Sequence, residues 1–71
     1  MKMLKVESST IKSIGYDYEF GVLEVKFQRD VTYRYENVPI HVVCQMLFKA
    51  DSIGSYFNKN IAKVYDYEKI A

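Results

Sequence analysis

Two neighbouring segments, residues 22–28 and 31–36, alternate apolar and polar residues in a way that constrains how they pair. The apolar positions are Leu23, Val25 and Phe27 in the first segment and Val31, Tyr33 and Tyr35 in the second. Alternate residues of a β-strand face the same side. The spacing therefore predicts two half-buried antiparallel strands joined by a hairpin.

The length of the hairpin loop follows from the same alternation. A two-residue turn at 29–30 would place polar Gln28 opposite Val31 and mismatch the whole ladder. A three-residue loop, 28–30, pairs Phe27 with Val31, Val25 with Tyr33, Leu23 with Tyr35 and, on the outer face, Glu24 with Arg34. Such loops commonly end in a left-handed residue, and aspartate tolerates that conformation. We therefore predict the three-residue loop with Asp30 left-handed.

Tyr33 and Tyr35 share a face and could either stack on nucleobases or belong to the core. The hairpin register places them on the face that carries Leu23, Val25 and Phe27. Half-buried antiparallel strands turn their apolar alternation inward. We therefore expect both tyrosines to be core residues.

The preceding segment, 11–20, predicts a first strand. Its apolar residues alternate on one face: Ile14, Tyr16, Tyr18 and Phe20. Gly15 is expected to permit a β-bulge or a close approach of another segment.

Residues 39–50 predict the main helix, which opens at Pro39 in the first turn. The predicted apolar stripe comprises Val43, Met46, Leu47 and Ala50, widened by Ile40, Cys44 and Phe48. The predicted solvent-facing side carries His41, Gln45 and Lys49.

The C-terminal third predicts a turn, a short second helix and a last short strand in "VYDYEKI". The resulting order is β-β-β-α-α′-β. We expect a single domain, residues 1–71, of the α+β class: a small antiparallel sheet with its helices on one face.

Composition excludes several function classes. The chain has 71 residues and a net charge of +1, with ten basic and nine acidic side chains, so a strongly basic nucleic-acid arm is not expected. A single cysteine, Cys44, excludes an internal disulfide and fits a reducing compartment. No apolar run is long enough for a signal peptide or a membrane span. These features predict a cytoplasmic protein without a membrane partner.

His41 and Cys44 are the only residues that resemble a nucleophile–base or metal-binding pair. Structural zinc requires four ligands, and the helical pattern buries Cys44 while His41 faces water. We therefore predict neither catalysis, nor a metal, nor a cofactor.

The polar segment 52–60 could bind an anion at a helix N-terminus. The favoured interpretation is that Ser52 or Ser55 caps the helix and Gly54 turns the chain.

Five segments in order resemble the KTSC domain, which is named for its occurrence at the C-terminus of some lysyl-tRNA synthetases. They are "SSTIKSIGYD" (8–17), "LEVKF" (23–27), "YRYENVP" (33–39), "ADSIGSYFNKNI" (50–61) and "YDY" (65–67). The structural positions of this resemblance are Gly15, Tyr16, Leu23, Phe27, Tyr33, Tyr35, Pro39, Ser52, Gly54, Phe57 and Ile61. Asp30 departs from the glycine usual at the family's hairpin turn.

The resemblance implies a bacterial or phage module, with RNA or tRNA as the expected partner by analogy with the synthetase fusion. It implies no catalytic residues. If both tyrosines point inward, the expected contacts are cations and an amide: Asn58, Lys59 and Lys63, with Lys26 and Arg34 on the outer hairpin face. The alternative is a protein-interaction module that docks on a host factor or associates with itself.

Overall fold

In the computed structural model, which describes residues 2–71, four strands precede the helices and a fifth follows them. The strands are β1 (Met3–Lys5), β2 (Ile11–Asp17), β3 (Val22–Phe27), β4 (Thr32–Tyr35) and β5 (Tyr67–Lys69). The helical region consists of α1 (Ile40–Cys44), a π-helical segment (Gln45–Lys49) and α2 (Ile53–Asn60). The α+β class is confirmed.

The β3–β4 hairpin has the predicted register and loop. Leu23 pairs with Tyr35 and Val25 with Tyr33. The Phe27 N–H donates to the Val31 carbonyl oxygen at 2.9 Å, which closes the three-residue loop. Asp30 has φ 60°, so its left-handed conformation is confirmed.

The sheet is an antiparallel meander of five strands in the order β1-β2-β3-β4-β5. β1 was not predicted, because its three residues are all exposed and carry no burial pattern. Gly15 was predicted to permit a β-bulge or a close approach; the register of β2 with β3 shifts between Ile11 and Ser13 instead, and Gly15 is buried in the regular ladder.

The prediction that Tyr18 and Phe20 continue the inner face of β2 is wrong. β2 ends at Asp17, whose Oδ1 accepts a hydrogen bond from the Glu19 N–H at 3.0 Å. An aspartate that bonds the backbone two residues ahead mimics a turn and stops the strand. Both aromatic side chains consequently lie exposed on the β2–β3 turn.

One hydrophobic core lies between the inner face of the sheet and the helices. Its strand residues include Ile11, Ile14, Leu23, Val25, Phe27 and Tyr35, and its other members are Val38, Val42, Val43, Met46, Phe57 and Ile61. Because all three helical segments or their ends contribute to this core, the helices cover one face of the sheet.

The predicted stripe of the main helix is confirmed at its centre but not at the residues that widened it: Leu47 packs against the core, whereas Ile40 and Phe48 are exposed. The buried residues are Val42, Val43 and Met46, whereas Cys44, predicted to be buried, is exposed. At the end of the π-helical segment, the Ala50 N–H donates to the Gln45 carbonyl oxygen, five residues back. The apolar positions spanned more than one helix face, so spacing alone did not select the buried one.

α2 begins as expected and ends early. The Ser52 side chain accepts a hydrogen bond from the Ser55 N–H at 3.3 Å, which confirms the cap. Gly54 does not turn the chain but lies inside the helix, where an added Cβ would stand 3.4 Å from Ser8 Oγ. The helix ends at Asn60, so Lys63 lies beyond it and is not on its surface.

Candidate functional site

Five aromatic rings form a continuous cluster where β3, β4, β5 and α2 meet. They belong to Phe27, Tyr33, Tyr35, Phe57 and Tyr67. Tyr35 packs edge-on against Phe57, with ring centroids 5.2 Å apart. Tyr67 lies across both hairpin tyrosines, 5.3 Å from Tyr33 and 5.4 Å from Tyr35. Edge-on and offset contacts of this kind hold the rings in fixed orientations.

The exposure of the five rings increases from the core to the surface. Tyr35 is only 2% exposed and belongs to the core, as predicted. Tyr33, predicted to be core as well, is only half-buried, and its ring contacts those of Phe27, Tyr35 and Tyr67. Tyr67 is 56% exposed. The two hairpin tyrosines therefore differ: one is structural and the other reaches a surface.

That surface is an open cleft of about 470 Å³. All five rings line it, together with Ala62 and the polar residues Ser9, Thr10, Gln28, Arg29 and Asn58. The Arg29 guanidinium carbon stands 5.6 Å from the centroid of the Phe27 ring. Lys69 pairs with Tyr33 across the β4–β5 ladder and so shares its face. The cleft thus combines aromatic walls with cations at its edge.

A second cleft of about 380 Å³ continues from the first. The two share Ser9, Thr10 and Asn58. The second is polar and runs between the β1–β2 loop and α2, where Ser8, Ser52 and Ser55 also line it. Glu7 and Asp51 line it too, and their charge disfavours a phosphate there.

Burial changes the acidity of the tyrosines around this core. Burial, followed by the neighbouring Tyr67 and Tyr33, raises the pKa of Tyr35 to about 12. Burial also raises the pKa of Tyr16, whose hydroxyl donates to the Val38 carbonyl oxygen at 2.6 Å. The phenol of Tyr35 therefore stays neutral throughout the physiological range.

The cations predicted on the hairpin lie on the opposite face of the sheet from the aromatic cluster. Arg34 Nε stands 3.9 Å from Glu24 Oε2, and Glu68 pairs with Arg34 from the other side. Lys26 pairs with Thr32 on the same outer face. Two carboxylates around one arginine leave little positive potential for a phosphate.

The second predicted group is separated by the early end of α2. Asn58 lines both clefts, whereas Lys59 and Lys63 are exposed and line neither. The structure therefore brings Asn58 together with Phe27, Tyr33, Tyr35 and Phe57 rather than with the two lysines.

Within residues 2–71, no group of three or more His, Cys, Asp or Glu side chains is placed to hold a metal ion. Over the same residues, none of the helices combines the length and the apolar character that a membrane crossing requires.

Tyr67 was not predicted as a site residue. The repeated Tyr-x-Tyr spacing at 65–67 was the available signal for Tyr67, since it matches that of 33–35.

Comparison with known proteins places the chain among relatives of the same length. A family model described as the KTSC domain matches residues 7–65. An uncharacterised protein of Stutzerimonas stutzeri is 49% identical over 59 residues, which span 83% of this chain and 82% of that protein. A protein of Tsukamurella paurometabola is 39% identical over 56 residues, or 79% of this chain and 82% of that one.

A solved structure shows the same fold. The crystal structure of a KTSC domain protein from Yersinia pestis matches with a TM-score of 0.92 and 34% identity. The match covers 99% of this chain and 97% of the other. The resemblance noted in the sequence is thereby confirmed.

Proposed function

The chain belongs to the KTSC domain family, and from that premise we propose that it is a non-enzymatic module that binds single-stranded RNA in its aromatic cleft. The observation that supports this proposal is the graded cluster of five rings, in which Tyr33 and Tyr67 reach the surface of an open cleft. Aromatic side chains on a rigid sheet are a common platform for unpaired bases.

The walls and edges of the cleft have complementary chemistry for such a ligand. The exposed part of Tyr67 and the half-buried Tyr33 offer stacking surface for a base. Asn58, Ser9 and Thr10 offer hydrogen bonds where the aromatic cleft meets the polar one. The carboxylates of Glu7 and Asp51 limit the proposed RNA contact to the aromatic cleft and its border with the polar one.

Phosphate contacts are few, so the binding is weak. Arg29 lines the cleft, Lys69 shares the face of Tyr33, and Lys59 follows Asn58 along α2. Lys63 adds a flanking charge beyond the helix. With a net charge of only +1, we expect dissociation constants in the ~10⁻⁴–10⁻⁶ M range of non-specific binding.

The test is a fluorescence-anisotropy titration of a labelled eight-nucleotide single-stranded RNA at low salt. Tyr67→Ala is the principal variant, because this side chain is more than half exposed and its loss leaves the core packed. Stacking is worth about 1–3 kcal/mol per base, so we expect affinity to fall roughly 5- to 150-fold. Leu4→Ala, which truncates a side chain of similar exposure, 55%, outside the cleft, is the matched control and should bind like the wild type.

A Lys59→Ala/Lys63→Ala double variant separates stacking from charge. Because both lysines are exposed and line neither cleft, loss of their charge should weaken binding only slightly and lessen its salt dependence, without the large loss expected of Tyr67→Ala. No binding by the wild type at low salt would contradict the proposed function. Equal affinity of the wild type and Tyr67→Ala would show that the aromatic cleft is not the RNA-binding site.

A further inference from the structure

A second exposed surface lies on the β2–β3 turn and the first helical segments, which share no lining residue with the aromatic cleft. The side chains of the β2–β3 turn and the outer side of α1 and the π-helical segment form an apolar stripe: Tyr18, Phe20, Ile40, Cys44 and Phe48. The large members are 74% exposed at Tyr18, 72% at Phe20, 56% at Ile40 and 78% at Phe48. Large apolar side chains grouped in this way are typical of interaction sites.

The apolar stripe is continuous. Tyr18 and Phe20 share a shallow hollow of about 390 Å³ with Val38, Pro39 and Ile40. Ile40, Cys44 and Phe48 then follow one another at intervals of four along the helical segments, opposite the buried Val42 and Met46. Residues four apart on a helix lie on the same side.

We propose that a second copy of this chain covers the apolar stripe in a two-fold, antiparallel contact. A two-fold interface brings the same patch of both copies together, so the patch must be complementary to itself. The stripe meets this requirement, because it carries a large exposed aromatic side chain at each end, Phe20 and Phe48. Antiparallel copies place the Phe20 of each beside the Phe48 of the other, with Cys44 near the axis.

The charges at the two ends of the stripe favour the antiparallel arrangement. Asp17 and Glu19 flank Tyr18 and Phe20 at one end, and Lys49 follows Phe48 at the other. Asp51, the nearest carboxylate in sequence to Lys49, lines the polar cleft instead. Antiparallel copies therefore place the acidic end of one stripe against the basic end of the other.

The area suits a dimer of moderate affinity. Large apolar and aromatic side chains with these exposures, together with the atoms around them, offer roughly 500–800 Å² per copy, against about 800 Å² per partner in a standard interface. We expect a dimer that dissociates on dilution rather than an obligate one.

Sedimentation of the full chain over a concentration series tests the contact. The expected result is a monomer–dimer equilibrium that Phe48→Ser shifts toward monomer by about tenfold or more in dissociation constant, as for the loss of a large apolar contact. Val64→Ser, which replaces a residue 62% exposed but outside the stripe, is the matched control and should leave the equilibrium unchanged. A wild type that stays monomeric throughout, or a dimer indifferent to Phe48→Ser, would overturn the proposal.

Two further measurements test the antiparallel geometry. Lys49→Glu should weaken the dimer, and Lys49→Glu combined with Glu19→Lys should restore it. Cys44 lies near the middle of the stripe, so two copies bring their thiols close to the axis. Diamide, which is reduced as it joins two thiols into a disulfide, should therefore cross-link the dimer through Cys44. The antiparallel arrangement would be overturned if Glu19→Lys did not restore the dimer of Lys49→Glu, or if the wild-type dimer failed to cross-link through Cys44.

Discussion

Tyr33 and Tyr35 have the same residue type and share a face, yet they reach different environments. Tyr35 packs against Phe57 of α2, whereas the ring contacts of Tyr33 are with the strand residues Phe27, Tyr35 and Tyr67. The alternation in the sequence assigns both tyrosines to the inner face. It does not reveal which side chains from other elements pack against each of them. Core membership was therefore predictable for Tyr35, and the open cleft at Tyr33 was not.

The ionisation of Tyr35 provides a test at this scale. Its pKa is raised to about 12 in the folded protein, from 10.0 for an unperturbed tyrosine. The stability that this shift contributes is fully present below pH 10 and is lost as pH rises toward 12. Tyr35→Phe should accordingly lose less stability than the wild type between pH 10 and 12.

Urea unfolding at pH 8 and at intervals up to pH 11.5 measures this difference. Tyr18→Phe, which alters an exposed tyrosine, should follow the wild type. Parallel pH profiles of Tyr35→Phe and the wild type would show that Tyr35 does not carry the effect.

At the scale of elements, the sequence predicted correctly those strands and helices whose position depends on contacts between residues close in sequence. The β3–β4 hairpin was correct in register and loop, because the pairing of its apolar alternation admits one loop length. β1 was missed since it contributes only exposed residues, and its place is set by pairing with β2. α1 exists as predicted, but the direction of its buried face depends on the sheet beneath it. The early end of α2 likewise removed Lys63 from the predicted cationic group.

Asp30 tests the hairpin. Asp30→Gly should be neutral or mildly stabilising, because glycine adopts φ 60° without steric strain. The ion pair lost with Lys12, 3.9 Å away between exposed side chains, contributes little. Asp30→Val should instead destabilise by about 1–2 kcal/mol, since a β-branched residue disfavours the left-handed region. Thermal melting of both variants measures these changes. A clear loss of stability in Asp30→Gly would contradict the interpretation that residue 30 favours a left-handed glycine.

At the scale of the whole molecule, a single core supports both proposed surfaces. A chain of this size is expected to be stable by only about 4–10 kcal/mol. The same buried cluster holds the sheet and the helices, so no part of the fold has an independent core to rely on. The aromatic cleft and the apolar stripe therefore persist or unfold together.

Tyr35→Ala tests this shared dependence. Truncating a buried aromatic side chain costs about 3–5 kcal/mol, which is a large part of the total. We expect the variant to lose most or all of its cooperative melting transition, whereas Tyr67→Ala should melt near the wild type. A melting temperature of Tyr35→Ala within a degree or two of the wild type would show that Tyr35 is not a core residue.

The meander order of the sheet has a consequence for how fast the chain folds. β1, β2 and β3 each pair with the strand next in sequence, so these contacts close over short loops. Only β5 must return across both helices to reach β4. Short-range pairing keeps the entropy of loop closure low, and hairpins form in about 1–10 μs. The first four strands can therefore assemble early, and the docking of β5, which completes the aromatic cleft, is the late step.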